Sequence, residues 1–473
     1  MLCRCVGGAN LYFEQFYLNC LAHASYMIGS GGEAAVIDPQ RDVDLYLEAA
    51  EEQGLRIRHV FETHLHADFV SGHKELAART GARIYIGAEA HAAFPHVPLR
   101  DGFEIKMGSL GIRTLETPGH TAESICLVVT DEQKSPEPLA VMTGDTLFIG
   151  DVGRPDLSTT HTPQELAGLL YDSLHQKLMR LPDGVLVYPA HGAGSLCGRS
   201  MRAERWSTIG TERLTNYALQ ISSRDEFVRQ LTTNLPTRPG YFFQDAEINR
   251  SGADPLTDRP PLPAFTPAEV EGLLSKKVNV LDVRPPDQFA AGHLPGSINI
   301  ALAGQFASWA GTILGLGAKP LLVAESDAQV EEAKMRLARV GIEDVRGYLA
   351  GGVMAWQKAG LPLLTTPQVT AQELAANLRE GRVHVFDVRR DSEWRAGHIA
   401  EAQNRPLDNF SQALPPLDPT LPVAVHCKSG YRSMIACSLL ERAGHRNVVN
   451  VTGGFDAWHS AGLPEASDQL ARA

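Results

Sequence analysis

A chain of 473 residues with 44% hydrophobic and 21% charged content reads as globular, and it is too long for one ordinary core; about three domains are expected. Its formal net charge of −12 excludes a general nucleic-acid binder, which would present a basic face. No apolar run approaches the ~20 residues that cross a bilayer, and the N-terminus lacks an apolar core followed by a small-residue cleavage site, so neither a membrane partner nor a secretory leader is expected.

The first ten residues carry Cys3 and Cys5 as C-x-C, with no second pair to complete a zinc site. With Cys20, Cys126, Cys197, Cys427 and Cys437 they make seven cysteines. An odd, scattered set suggests reduced thiols in a cytoplasm and no disulfide framework. Strands such as "AAVID" and "RHVFETH" alternate with helical patterns such as "DVDLYLEAAEEQG", which indicates an α/β domain over the first ~250 residues. "THLHADFVSGH" (Thr63 to His73) follows one such strand, so His64, His66 and Asp68 sit at its C-terminal end, where ligands collect in α/β sheets. An H-x-H pair alone is a weak signal. Three later fragments strengthen it: "TPGHTAES" with His120, "MTGDTLF" with Asp145 and "VYPAHGAG" with His191 each end a strand. Four such loops converging on one rim would supply imidazole and carboxylate ligands. "GDVGRPDL" (Gly150 to Leu157) lies between the last two, and "SGADPLTDRPPLPAF" (Ser251 to Phe265) reads as a linker.

Beyond the linker the chain repeats itself. "VNVLDVRPPDQFAAGHLPGSINI" matches "VHVFDVRRDSEWRAGHIAEAQNR", and "LAGGVMAWQKAGLP" matches "VTGGFDAWHSAGLP". Each copy alternates apolar β-rich runs with helical patterns, as a parallel sheet flanked by helices does. "LLTTPQVT" (Leu363 to Thr370) joins them. In the second copy "PVAVHCKSGYRSMIACSLL" is a strand, a loop opening with Cys427, and a helix. The loop's N–H groups, the helix N-terminus and Arg432 would together favour a thiolate or a bound persulfide anion, whereas Cys437 reads as a small buried hydrophobe. Counting back from the shared "AGLP" endings sets Cys427 opposite Glu325 and Arg432 opposite Val330, so the first copy reads as catalytically inactive: a spacer, an interaction surface or a pocket wall. Asp282 and Asp387 read as structural acceptors of loop N–H groups.

On these motifs residues 12–255 resemble the metallo-β-lactamase superfamily, whose fold is an αββα sandwich with metal in the cleft. Its dinuclear members carry H-x-H-x-D-H; here Phe69 stands at the last His position and cannot hold a second ion, while His73 reads as a helix-surface residue. The remaining match is to the persulfide dioxygenase branch, which implies one Fe(II) per chain held by His64, His120 and Asp145. Such a set leaves positions for water, dioxygen and a substrate sulfur. His66, Asp68 and His191 would then orient the ligands or bind water. By the same likeness Arg154 either binds the carboxylate of a thiol carrier such as glutathione or pairs with a neighbouring acid, and Tyr188 lies beside the cleft as a substrate contact.

The repeats, residues 262–362 and 367–465, resemble rhodanese sulfurtransferase domains with α/β/α folds and parallel sheets. That resemblance makes Cys427 and Arg432 the catalytic pair of the second copy, on a persulfide loop of Lys428, Ser429, Gly430, Tyr431 and Ser433. The whole arrangement resembles persulfide dioxygenase–rhodanese fusions. It implies oxidation of a low-molecular-weight thiol persulfide (glutathione, coenzyme A or similar) to sulfite and thiol, followed by transfer of sulfane sulfur from Cys427 to sulfite, giving thiosulfate. A homo-oligomer, dimer or tetramer, is expected of such an enzyme. The rival reading is a glyoxalase II-like zinc thioesterase fused to a sulfurtransferase; a third takes the repeats as sulfide-sensing or docking modules.

Overall fold

The structure, a computed structural model, describes residues 11–233, 235, 237–257, 259–410 and 420–467, so the Cys3/Cys5 pair lies outside the described residues. Contacts divide the chain into two compact units, one reaching to Arg259 and taking in Ala338–Gly341, the other built from the remainder beyond Pro260.

The first unit holds two six-stranded sheets. One runs β1 (Tyr12–Leu18), β2 (His23–Ser30), β3 (Glu33–Ile37), β4 (Arg56–Glu62), β5 (Arg83–Gly87) and β6 (Val97–Leu99) in spatial order. The other comprises β7 (Glu104–Met107), β8 (Leu110–Glu116), β9 (Ile125–Asp131), β10 (Ala140–Gly144), β11 (Leu186–Pro189) and β12 (Ser207–Thr208), ordered β12-β11-β10-β9-β8-β7. Strand alternation decides what each sheet face covers. Tyr26 and Ile28 of β2 join Leu127, Val129 and Met142 in the core between the sheets, while Met27 turns outward to Tyr46 and Leu76 of the flanking helices. The far sheet buries Val128, Val141 and Val187 against Leu170 and Leu174 of the helix Pro163–Gln176. That helix starts where Thr162 and Glu165 form a reciprocal capping box behind Pro163. The result is the expected αββα sandwich, and each fully buried Leu or Val contributes roughly 1.5–3 kcal/mol. β8, β10 and β11 run in one direction, so their C-terminal loops share one edge of the sandwich.

The second unit holds two five-stranded, all-parallel sheets. The strands are β13 (Ala264–Phe265), β14 (Val280–Asp282), β15 (Ile298–Asn299), β16 (Leu321–Val323) and β17 (Gly347–Leu349), ordered β13-β17-β16-β14-β15. Then come β18 (Gln368–Val369), β19 (His384–Asp387), β20 (Gln403–Asn404), β21 (Val423–His426) and β22 (Val448–Val451), ordered β18-β22-β21-β19-β20. The two orders are the same permutation, so the sequence repeat is a structural one. Both presumed joints end in edge strands, β13 and β18; two residues are too few for periodicity to reveal a strand. Asp282 and Asp387 each accept from the N–H of the arginine two residues on and from its guanidinium, in the structural role expected. Among the described residues no helix is long and apolar enough to cross a membrane.

Candidate functional site

Asp38, directly after β3, has φ +52, a conformation uncommon for a residue with a side chain. Its carboxylate accepts from the Thr63 N–H at 2.7 Å and the Thr63 hydroxyl at 2.9 Å. Because that hydroxyl's proton goes to Asp38, Thr63 Oγ1 is an acceptor toward His64 Nδ1, 2.9 Å away. His64 Nδ1 therefore carries the proton and Nε2 offers a lone pair. His120 reaches the same tautomer by another route: its Nδ1 lies 2.9 Å from the Arg154 carbonyl oxygen, which can only accept. Asp145, after β10, places Oδ2 3.7 Å from His64 Nε2 and 3.3 Å from His120 Nε2. Two glycines permit this approach. A Cβ on Gly144 would lie 2.5 Å from Thr63 Oγ1, and one on Gly153 would lie 2.1 Å from the Asp145 carbonyl oxygen.

Both imidazoles are fully buried, and burial pushes their pKa values down, which keeps them neutral. Burial acts against the Asp145 charge, but the protonated His191 beside it holds its carboxyl well below the usual range. Asp145 Oδ2 has no hydrogen-bond partner among the described residues. Two lone pairs and a carboxylate oxygen facing one another with no proton between them repel unless a cation lies among them. The ligand atoms of His64, His120 and Asp145 lie within 4.8 Å of one another, a two-nitrogen, one-oxygen set suited to a transition metal.

His191 sits between carboxylates, its Nδ1 2.7 Å from Asp145 Oδ1 and its Nε2 2.9 Å from Asp68 Oδ2. Despite burial, Asp145 and Asp68 raise its pKa well above the ordinary value. His66 lies 3.1 Å from Asp38 and 3.5 Å from Glu62, in a neighbouring buried cluster. Phe69, 1% exposed, packs among imidazoles, its ring tilted against those of His23 and His66 with centroids 4.1 and 4.4 Å away. His73 is not on the helix surface: it is buried, 3.4 Å from Glu62 and with its ring tilted against that of Phe94, because the first turn of its helix faces the cluster.

The two substrate candidates, Arg154 and Tyr188, have the following surroundings. Arg154 is 4% exposed and forks onto Asp156 at 2.6 and 2.9 Å, with Nη1 on the Leu196 carbonyl, so of its two readings the geometry favours the ion pair. Tyr188 is packed into the core between the sheets, 4.7 Å from the Phe13 ring and 5.6 Å from that of Tyr26. It lies within β11, short of the loop that carries His191, and alternation turns it inward. Sequence reasoning missed Asp38, Thr63, His23 and Cys197. Asp38 ends the strand "AAVID" and shows the same strand-end signal as Asp145. The others had none: His23 opens an ordinary strand, and Cys197 comes near Asp68 and His191 only through the fold.

In the second unit Cys427 follows β21 and is 1% exposed. Its Sγ accepts from the Gly430 N–H at 3.1 Å. Gly430 has φ +110, which only glycine adopts readily, and it caps the helix Tyr431–Arg442, whose N-terminus thus faces the sulfur. The "GGF" motif explains itself here: a Cβ on Gly454 would lie 2.4 Å from the Cys427 carbonyl oxygen, and the Phe455 N–H donates to that oxygen at 2.7 Å. Lys428 and Ser429 are exposed, while the Ser433 hydroxyl reaches Asn450 at 2.7 Å. Arg432 is not a lone cation: it forks onto Glu393 at 2.7 and 2.8 Å. Cys437 is fully buried, and burial raises its thiol pKa well above the usual value, so it is inert.

Strand register corrects the pairing of the copies. The Val283 N–H donates to Val323 as the Val388 N–H donates to His426, so Ala324, not Glu325, matches Cys427. The glycines agree, since a Cβ on Gly352 would meet the Ala324 carbonyl oxygen at 2.4 Å. Counting from "AGLP" slips by one because the first copy has an extra residue between its helix and its glycine pair. The same register sets Gln329 opposite Arg432 and Gln288 opposite Glu393.

Comparison with known proteins divides the chain in the same way. The profile of the metallo-beta-lactamase superfamily matches residues 18–191, and that of the rhodanese-like domain matches 266–359 and 370–461. The chain is 31% identical over 237 residues to the mitochondrial persulfide dioxygenase ETHE1 of Bos taurus, spanning 48% of this chain and 84% of that protein. It is 31% identical over 177 residues to the hydroxyacylglutathione hydrolase of Francisella tularensis subsp. novicida, spanning 37% of this chain and 65% of that one. Among solved structures, a metallo-beta-lactamase from Staphylococcus aureus subsp. aureus COL superposes with a TM-score of 0.65 at 32% identity, covering 72% of this chain and 99% of its own.

Proposed function

Because the chain belongs to the metallo-beta-lactamase superfamily, has persulfide dioxygenase relatives and carries two rhodanese-like domains, we propose that it is a persulfide dioxygenase coupled to a sulfurtransferase. The observation that carries this reading is the convergence of two imidazole lone pairs and an unpartnered carboxylate oxygen at His64, His120 and Asp145. Those three residues would hold one ferrous ion per chain. When bound, such an ion supplies dioxygen activation and sites for substrate. His191 holds a proton between Asp145 and Asp68 and so keeps the Asp145 carboxylate oriented. Thr63 and the Arg154 carbonyl fix the tautomers of the two histidines. Phe69 fills the position from which a second ion would be ligated.

The first reaction converts R–S–SH, dioxygen and water into R–SH, sulfite and two protons. In the second, the Cys427 thiolate takes the outer sulfur of another persulfide and releases R–SH. Sulfite then attacks that outer sulfur, thiosulfate leaves and the Cys427 thiolate is restored. The Gly430 N–H and the helix N-terminus stabilise the anionic sulfur in both states. Together the steps constitute sulfide detoxification with thiosulfate as product. The hydroxyacylglutathione hydrolase relatives favour a zinc thioesterase as second reading, and Phe69 opposes its dinuclear form.

Protein purified without oxygen should contain about one iron per chain and consume oxygen on addition of glutathione persulfide. Stoichiometric zinc with thioesterase turnover and no oxygen uptake would refute the dioxygenase. Cys427→Ser should shift the product from thiosulfate to sulfite; an unchanged thiosulfate yield would exclude Cys427 as the carrier.

A further inference from the structure

The first rhodanese-like copy lacks a thiol, yet it touches the helix that begins at the Cys427 loop along one face. At the start of that helix, the Tyr431 hydroxyl donates to the Ala301 carbonyl at 2.9 Å, and the Tyr431 ring lies against Gly304, where a Cβ would stand 3.7 Å from it. In the middle, Ser438 Oγ accepts from the Asn299 N–H of edge strand β15 at 3.1 Å. Near the end, Glu441 lies 3.2 Å from His293 Nε2 of the first copy and accepts from the hydroxyl of Thr366, in the joint between the copies, at 2.7 Å. Positions 431, 438 and 441 fall seven and three apart, the spacing of one helical face. The receiving loop is itself braced, since the Arg336 guanidinium donates to the carbonyls of Leu302 and Gly304.

These contacts are peculiar to the second copy. In the register set by the strands, Tyr431, Ser438 and Glu441 correspond to Ala328, Met335 and Ala338, none of which could make the same bonds. The duplicated unit therefore did not inherit this interface twice. One copy provides the helix face and the other provides the loop and edge strand that receive it.

We propose that the inactive first copy is a positioning platform for the sulfur loop, with Tyr431 as the positioning residue through which it acts. The inference rests on Cys427 being the sulfur carrier. The helix N-terminus and the Gly430 N–H are aimed at Cys427 Sγ, so the rotation and height of this helix decide how well an anionic sulfur is stabilised. Tyr431 adjoins Gly430 in sequence, and its hydroxyl pins that first turn to the platform.

The test uses the full chain, with sulfur transfer from thiosulfate to cyanide as the assay. Tyr431→Phe keeps the ring and removes one hydrogen bond; kcat should fall about fivefold, with KM for thiosulfate within about twofold of the parent. Ser438→Ala should lower kcat in the same sense, and both variants should keep the parent's unfolding temperature to within a few degrees. Parental kcat in both variants would overturn the platform, as would a loss of activity matched by a fall in unfolding temperature. Cys427→Ser run alongside separates the two readings. Transfer that persists in Cys427→Ser removes the carrier itself, whereas transfer abolished there and untouched in Tyr431→Phe removes only the platform.

Discussion

Replacing Thr63 by valine tests how the metal ligands are prepared. The side chains are nearly equal in volume, so the change removes one hydroxyl from a site that is 1% exposed without opening a cavity. In the parent that hydroxyl donates to Asp38 and accepts from His64 Nδ1, which leaves the His64 Nε2 lone pair for a cation. In Thr63→Val both partners are stranded in a buried setting, and the imidazole is free to take the other tautomer, with its proton where the metal should be. Loss of such an outer partner typically costs 10–100-fold in metal affinity, or roughly 1.4–2.8 kcal/mol. Stability should also fall by about 1–3 kcal/mol from the unsatisfied groups, and Asp38 loses a bond that holds its φ of +52. Cobalt(II) titration followed by visible absorption, with a competing chelator, measures the affinity. Thr63→Ser keeps the hydroxyl and should bind within about threefold of the parent. Parental affinity in Thr63→Val, or equal weakness in Thr63→Ser, would refute the reasoning.

Three further expectations follow from the same geometry. Phe69→His restores a donor beside Asp68 and should raise metal content from about one toward two ions per chain; content that stays at one would show that Phe69 is not what limits it. Arg154→Met strands Asp156 at a part-buried fork and should destabilise the protein by about 1–3 kcal/mol, leaving KM for the persulfide unchanged; a large rise in KM with intact stability would return Arg154 to the substrate. The Arg432 fork holds the Glu393 carboxyl below its ordinary value of 4.5 although burial acts to raise it. A depressed folded pKa means that the pair's stability is present above about pH 4.5 and is lost as the pH falls through the lower folded value. The stability gap between parent and Glu393→Gln should therefore narrow on acidification below that point, and a gap constant with pH would contradict the assignment.

His64, His120, Asp145 and Cys427 were legible in the sequence because each ends a strand within a short, distinctive fragment, and strand ends in α/β sheets are where a fold presents its chemistry. The duplication was legible for a similar reason, since "DVR", "GG" and "AGLP" mark the same turns twice. Even there a count along the chain slipped by one residue, because an insertion is invisible until strand hydrogen bonds set the register and Ala324 falls under Cys427.

Whatever depends on two distant side chains choosing each other was decided only by the tertiary structure. His73 looked like a surface residue until the fold brought Glu62 to it. The tautomers of His64 and His120 are set by Thr63, Asp38 and a backbone carbonyl 34 residues away, groups no motif marks. Residue types and their order determined which chemistry the chain can attempt. Burial and hydrogen-bond geometry determined which atoms are left facing the cation, because a donor or acceptor is defined by its partner in space and not by its neighbour in sequence.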